Sequence, residues 1–166
     1  MSSSTGVAQE WFAVTGSQDS RRSSEIRDGL SRFLRWPQVS VLELGPSPSA
    51  PVVARRHVTA VLAGWRVNRD LVSDAELIAS ELTANALRAT FALDVPQPIG
   101  VRLLGNWQRL VIEVWDCGPG SPVRRQPCDD DAEDGRGLQI VECLANRWGC
   151  RHASVHVKAV WAECAL

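Results

Sequence analysis

The chain lacks three features that would each point to a common class of function. Its five cysteines include no Cys-x-x-Cys pair, so the sequence indicates neither a zinc knuckle nor a disulfide framework. The net charge is −1, without the basic excess typical of a nucleic-acid binder, and we expect no direct nucleic-acid partner. No apolar run approaches the roughly 20 residues that span a bilayer. We therefore expect a cytoplasmic protein with reduced thiols and no membrane association.

What the chain does contain is enough apolar material for one core. It has 166 residues, of which 45% are hydrophobic, and this suits a single domain over residues 39–166. Residues 1–38 form a separate N-terminal region. Residues 1–24 are rich in Ser, Gln, Gly and Arg, which predicts a poorly ordered tail. The stretch after them predicts a short amphipathic helix, which docks on its own domain or on a partner, from the spacing of Ile26, Leu30, Phe33 and Leu34.

The first half of the domain alternates strand and helix patterns. "VSVLELG" predicts a strand, and "VVARRHVTAVLAGW" has the apolar spacing of a helix. A longer helix follows. Ser73 and Glu76 have the spacing of a capping box, which predicts that this helix begins near Ser73. Its predicted apolar stripe consists of Leu77, Ile78, Leu82, Ala86 and Phe91.

The second half contributes a hairpin, a helix and two strand-like stretches. "IGVRLL" and "RLVIEVWD" are separated by "GNWQ", which predicts an antiparallel hairpin. "GLQIVECLANRW" predicts a helix that extends to Trp148, and "SVHVKA" and "VWAECA" predict two further strands. The order of elements predicts an α+β fold. It is a two-layer α/β sandwich with helices on one face of a mixed, mostly antiparallel sheet.

Three separated stretches are candidates for one pocket. In "ELTANA", Glu81 and Asn85 are four residues apart, so their side chains leave a helix on the same face. In "DCGPGS", a strand stops at Asp116 and two glycines follow, which suits either a surface turn or a nucleotide pocket. In "GRGL", a glycine-led helix start offers free N–H groups to a phosphate. Each stretch taken alone is also typical of an ordinary helix surface or turn.

Taken together and in this order, the three stretches resemble the GHKL ATP-binding fold. That fold is shared by gyrase, sensor histidine kinases, mismatch-repair ATPases and bacterial anti-sigma-factor serine/threonine kinases. The resemblance runs from about residue 41 to the C-terminus. The stretch "GRGLQIVECLANRWG" and the closing "VWAE" are most similar to the small regulatory ATP-binding proteins related to the anti-sigma-factor kinases.

The resemblance implies ATP and Mg²⁺ as cofactors and a role for each candidate. Asn85 matches the asparagine that coordinates the magnesium on the ATP phosphates. Glu81 matches the carboxylate that accepts a proton from an attacking hydroxyl or water. Asp116 matches the acceptor for the adenine amino group, and two pocket-lining glycines match Gly118 and Gly120. The second glycine motif, at the phosphate end, matches Gly135, Arg136, Gly137 and Leu138.

The sequence departs from the family pattern in three places. Arg88-Ala89-Thr90 replaces an Arg-His-Ala that close relatives often have, so a histidine is missing. The segment 121–134, where the family has its mobile ATP lid, contains five acidic residues, which weaken the binding of a polyanion unless arginines or magnesium offset them. Val157-Lys158-Ala159 replaces a Gly-Lys-Thr turn, which we interpret as a structural change.

Two functions remain open on these residues. The resemblance implies an anti-sigma factor that binds a sigma factor and phosphorylates a serine or threonine of an anti-anti-sigma (STAS-type) antagonist protein. Relatives of this kind also suggest a homodimer. The alternative is a nucleotide-gated binding module without physiological kinase activity. We expect no phosphoacceptor helix before the domain, so a sensor histidine kinase fits less well. His57 lies inside the matching region and is more typical of a surface helix residue.

Overall fold

The computed structural model describes residues 35–119, 136–154 and 156–166. Three predicted segments lie outside these ranges: the tail over residues 1–24, the amphipathic helix over residues 26–34 and the acidic segment 121–134. Within the described ranges, no helix has the length and apolar character that a membrane span requires. The elements in chain order are β1 (Gln38–Leu44), α1 (Ala50–Gly64), α2 (Arg69–Phe91), β2 (Ile99–Gly105), β3 (Arg109–Asp116), α3 (Arg136–Leu144), β4 (Arg147–His152) and β5 (Lys158–Ala165).

The five strands form one sheet in the order β1-β2-β3-β5-β4, and every neighbouring pair is antiparallel. The predicted hairpin across "GNWQ" is confirmed, with Gly105 opposite Leu110. Its turn is closed by Asn106, whose side-chain oxygen accepts hydrogen bonds from the backbone N–H groups of Gln108 and Arg109. The predicted sandwich is confirmed, and its described strands are wholly antiparallel rather than mixed.

The helices pack on one face of this sheet because their apolar residues follow the helical period. The buried residues of α1 recur every four positions, at Ala50, Ala54, Val58 and Leu62. Strand β3 contributes alternate residues to the same core, namely Leu110, Ile112 and Val114. Each fully buried aliphatic side chain of this kind contributes about 1.5–3 kcal/mol to folding. This core fixes α2 across the sheet, where it carries two of the candidate residues.

Helix α2 begins one turn earlier than the sequence pattern predicted. Asn68 is the N-cap, and its side-chain oxygen accepts a hydrogen bond of 2.9 Å from the backbone N–H of Asp70. Ser73 lies inside the helix, where its hydroxyl donates to the Arg69 carbonyl. The predicted capping box of Ser73 and Glu76 is therefore wrong, because Asn68 caps the helix upstream and both residues lie inside α2.

The end of the chain also differs from the prediction. Helix α3 ends at Leu144, and Trp148 lies in β4, where it pairs with Ala162 of β5. The stretches "SVHVKA" and "VWAECA" overlap a single strand, β5, rather than forming two. The helical spacing of apolar residues extends past Leu144 to Trp148, but the helix does not. Hydrogen bonding with the sheet decides the conformation there, beginning with the N–H of Asn146, which donates to the Glu163 carbonyl.

Candidate functional site

Helix α2 connects the two ends of the candidate site. Glu81, Asn85 and Ala89 follow one another at intervals of four residues, so they lie along one side of the helix. A methyl group built on Gly137 of α3 would lie 2.6 Å from Glu81 Oε2, and one built on Gly118 would lie 2.4 Å from Ala89 Cβ. The eight-residue step from Glu81 to Ala89 spans about 12 Å of helix. One side of α2 thus contacts both predicted glycine motifs.

Asp116 lies at the end of β3 and is 1% exposed. Its Oδ1 accepts a hydrogen bond of 2.8 Å from the backbone N–H of Gly118, which turns the chain away from the strand. Burial raises the pKa of this carboxyl, while hydrogen bonding to Lys158, the Lys158 charge and the Gly118 N–H oppose the rise. The predicted acceptor for the adenine amino group is therefore a buried carboxyl group that is held in place at the end of β3.

Gly118 is held against α2 by a close backbone approach. An added Cβ would lie 2.9 Å from the Ala89 carbonyl carbon and oxygen, closer than real Cβ atoms come to backbone. From the sequence, Gly118 was predicted to line a nucleotide pocket in which a side chain would collide with the ligand. The structure shows a second reason, which is contact with the helix. Ala89, at the position of the missing histidine, is small enough to allow this contact.

Lys158 is a site residue that the sequence interpretation missed. Its ammonium group lies 2.6 Å from Asp116 Oδ1 and 2.6 Å from the Gly118 carbonyl oxygen. Lys158 is 5% exposed and stands directly opposite Asp116 in the β3–β5 register. A possible signal was that Lys158 is the only lysine of the chain, at the first position of an apolar strand. A buried lysine requires an acidic partner, and the pattern did not reveal which one.

The other end of the site is the start of α3. Helix N-termini carry free N–H groups and a partial positive charge, which favour carboxylates and phosphates. Glu81 is half-buried against Gly137 at this end, and its carboxylate has no hydrogen bond or ion pair within the ranges that the structure describes. Gly120 and Gly135 lie outside those ranges, and only the backbone of Arg136 is described. Leu138 is 7% exposed and belongs to the core, where it anchors α3.

Asn85 lies between the two ends, and its amide is only half satisfied. Arg88 donates a hydrogen bond to Asn85 Oδ1, while the buried Nδ2 has no partner in the described part of the chain. Arg88 is a second residue that the sequence interpretation left without a role. Buried donors are normally paired, so the orphaned N–H group marks a place for an acceptor such as a phosphate oxygen.

Magnesium fits this arrangement with one protein ligand. No group of three His, Cys, Asp or Glu side chains that could hold a metal ion occurs among the described residues. Magnesium on a nucleotide is held by one or two protein oxygens, by phosphates and by water. An amide oxygen has two lone pairs, so Asn85 Oδ1 retains one beside the Arg88 hydrogen bond. The residues present therefore fit a metal that is held chiefly by the nucleotide.

The chain belongs to the family of histidine kinase-like ATPase domains. The model of that family matches residues 46–162, which include every predicted site residue. The match agrees with the fold, in which three helices pack on a five-stranded antiparallel sheet in the described residues. No curated protein matches the chain at a significant level.

Several solved structures share the fold, and two of them have low sequence identity to this chain. The first is the RsbU and RsbW domains of Rv1364c from Mycobacterium tuberculosis, with 19% identity and a TM-score of 0.57. It aligns with 76% of this chain, which spans only 32% of that longer protein chain. The second is from the SiaB–SiaC complex of Pseudomonas aeruginosa, with 10% identity and a TM-score of 0.56, covering 85% of this chain and 98% of that one.

Replacing Gly118 by Ala tests the contact between the strand end and α2. We expect Gly118→Ala to lower the free energy of unfolding by about 1–3 kcal/mol, because the new methyl group meets the Ala89 backbone and the helix must shift. Gly64→Ala is the matched control, since a methyl group there meets no atom within 4 Å apart from its chain neighbours and its own helix backbone. Urea unfolding of both variants is the measurement. If the two variants were equally stable, the close contact between Gly118 and Ala89 would be contradicted.

Proposed function

We propose that the protein is a cytoplasmic ATP-binding anti-sigma factor that phosphorylates a serine or threonine of an anti-anti-sigma (STAS-type) antagonist. The observation that carries the proposal is the geometry of α2. One side of this helix presents Glu81 and Asn85, and it runs from the start of α3 to the strand end that holds Asp116. A nucleotide that lies along α2 would meet a base acceptor at one end and helix N–H groups at the other.

The base end supports recognition of adenine. An ionised carboxylate only accepts hydrogen bonds. Adenine carries an amino donor where guanine has a carbonyl acceptor, so a fixed carboxylate favours adenine. Asp116 is buried, and its Oδ1 is held by the Gly118 N–H and by Lys158, so the orientation of this acceptor is fixed. The proposed ligand is therefore ATP or ADP.

The phosphate end supports phosphoryl transfer. The proposed acceptor hydroxyl gives its proton to the Glu81 carboxylate while its oxygen bonds to the γ-phosphorus, and the bond from phosphorus to the bridging oxygen breaks, releasing ADP. Asn85 binds the phosphates through its unpartnered N–H group and offers its oxygen to magnesium. The metal supplies charge neutralisation when it is bound. Glu81 suits the role of general base because no other described side chain forms a hydrogen bond or an ion pair with its carboxylate.

The second candidate is a nucleotide-gated binding module without physiological transfer. The observation that favours it is the Arg88 hydrogen bond to Asn85, which places a cation beside the proposed metal ligand. One of the similar structures is a complex of two proteins, SiaB and SiaC, which supports a protein partner for either candidate. The sigma factor, the antagonist and a possible homodimer are parts of the proposal in both cases.

Nucleotide selectivity tests the base site. We expect calorimetry to show binding of Mg-ATP and Mg-ADP but not of GTP. Asp116→Asn should weaken ATP binding by about 1–3 kcal/mol, because an amide donor then meets the amino group of the base. Asp94→Asn, on an exposed loop residue, removes the same charge and should leave the affinity unchanged. Equal affinity for ATP and GTP in the wild type would refute the assignment of Asp116.

Glu81→Gln distinguishes the two candidate functions. If Glu81 is the general base, transfer to the purified antagonist should fall by about two to four orders of magnitude, while ATP affinity stays nearly constant. Asn85→Asp should disturb both binding and transfer, because it changes the proposed metal ligand. Glu43→Gln, on the exposed side of β1, is the control for loss of one carboxylate.

The measurement is transfer of radiolabelled phosphate, with capture of the sigma factor followed in parallel. Capture by the wild type without any transfer, unchanged in Glu81→Gln, would favour the binding module over the kinase.

A further inference from the structure

Lys158 joins three parts of the proposed base site. Its ammonium group donates to Asp116 Oδ1 and to the Gly118 carbonyl oxygen, each at 2.6 Å. Gly118 in turn donates its backbone N–H to the same Oδ1 at 2.8 Å. The end of β3, the first residue of β5 and the chain leaving β3 therefore form one closed hydrogen-bonded cluster. Since Lys158 is 5% exposed, this cluster is largely shielded from water.

The hydrogen bonds leave one oxygen of the carboxylate unused. Both donors reach Oδ1, and in the described ranges Asp116 Oδ2 has no hydrogen bond. A carboxylate oxygen has two lone pairs, so two donors saturate Oδ1. Any donor that approaches Asp116 from a ligand is therefore directed to Oδ2.

A buried carboxyl group loses its charge unless a cation compensates for the lost hydration. The charged groups that act on Asp116 are Lys158 of β5 and, more weakly, His152 of β4. Burial also raises the pKa of the Cys150 thiol of β4, with Lys158 opposing the rise and Asp116 adding to it. Helix α2 approaches Gly118 with the uncharged Ala89. Lys158 is thus the principal cation at the carboxylate.

We propose that Lys158 is a positioning residue for base recognition: it occupies Oδ1 and the Gly118 carbonyl, holds Asp116 ionised, and leaves Oδ2 as the acceptor for the amino group of the base. This proposal rests on the proposed binding of an adenine nucleotide and adds a residue to that site. It also gives Val157-Lys158-Ala159 a role beyond the structural change that the sequence suggested.

The sign of the pH dependence follows from the same contacts. Lys158 lowers the pKa of Asp116 both through its hydrogen bond and through its charge. In Lys158→Met both effects are lost, so the pKa of Asp116 rises further and the carboxyl is protonated at higher pH. A protonated carboxyl is a weaker acceptor. Affinity of the variant for ATP should therefore increase as the pH rises, whereas the wild type should show little change over the same interval.

The experiment compares wild type, Lys158→Met and the control Arg102→Met. Arg102→Met removes a cation from a different ion pair, that with Glu113. Calorimetry with Mg-ATP between pH 6 and 8 should show at least a tenfold loss of affinity for Lys158→Met at pH 6, partly recovered at pH 8. Arg102→Met should follow the wild type. Tighter binding by Lys158→Met, or a loss that is the same at every pH, would overturn the proposal.

A carboxyl-carbon NMR titration of Asp116 separates this proposal from the nucleotide assignment. We expect Asp116 to be ionised at pH 7 in the wild type and to titrate at higher pH in Lys158→Met. If the wild type is protonated at pH 7, Lys158 does not hold the charge and the proposal fails, even if Lys158→Met does not fold. If the wild type fails to bind ATP, the proposed function fails, and so does the positioning of the nucleotide base by Lys158. The titration would still show whether Lys158 and Asp116 form an ion pair.

Discussion

A buried carboxylate must find partners, and this constraint organises one end of the molecule. Asp116 ends β3 inside the protein, where an unpaired charge would cost several kcal/mol. The partners come from the neighbouring strand, through Lys158, and from the chain that leaves β3, through Gly118. Gly118 then lies against Ala89 of α2. One polar cluster thereby sets the position of a strand end, a turn and a helix relative to one another.

Helix α2 extends this order to the other end of the site. Its apolar side is fixed by the core, so its polar side has little freedom in where it presents Glu81 and Asn85. Glu81 reaches the start of α3 because Gly137 has no side chain to exclude it. The partial positive charge of that helix start attracts the carboxylate and would also attract a phosphate. The proposed general base and the proposed phosphate site therefore share one electrostatic environment.

Much of the fold could be predicted because it follows from periodicity. The two strand patterns on either side of "GNWQ" predicted the hairpin, and the helical spacing of α1 predicted Val58 and Leu62 in the core, although Val53 of the same stretch is exposed. Boundaries were less predictable. Two signals competed at the start of α2, and the Asn68 cap prevailed over Ser73. Trp148 fitted a helical period but lies in a strand, because pairing with β5 is a tertiary contact.

The candidate site was predictable where a residue has a fixed local role. Glu81 and Asn85 lie on the same side of a helix regardless of the tertiary structure, because they are four residues apart. A strand that stops at Asp116 is also visible in the sequence. The contacts of Lys158 and Arg88 were not visible. Lys158 meets Asp116 across 42 positions of sequence, through strand register alone. Arg88 follows Asn85 by three residues, but only the folded geometry shows its hydrogen bond to the amide.

The central claim is that a nucleotide lies along α2, from Asp116 to the start of α3. Backbone amide NMR with increasing Mg-ATP tests it most directly. We expect the amide signals of Gly118 and Gly137 to shift together with one saturation curve, while that of Trp107, in the hairpin turn at the opposite end of β3, stays constant. Shifts at Trp107 without any at Gly118 and Gly137 would contradict it.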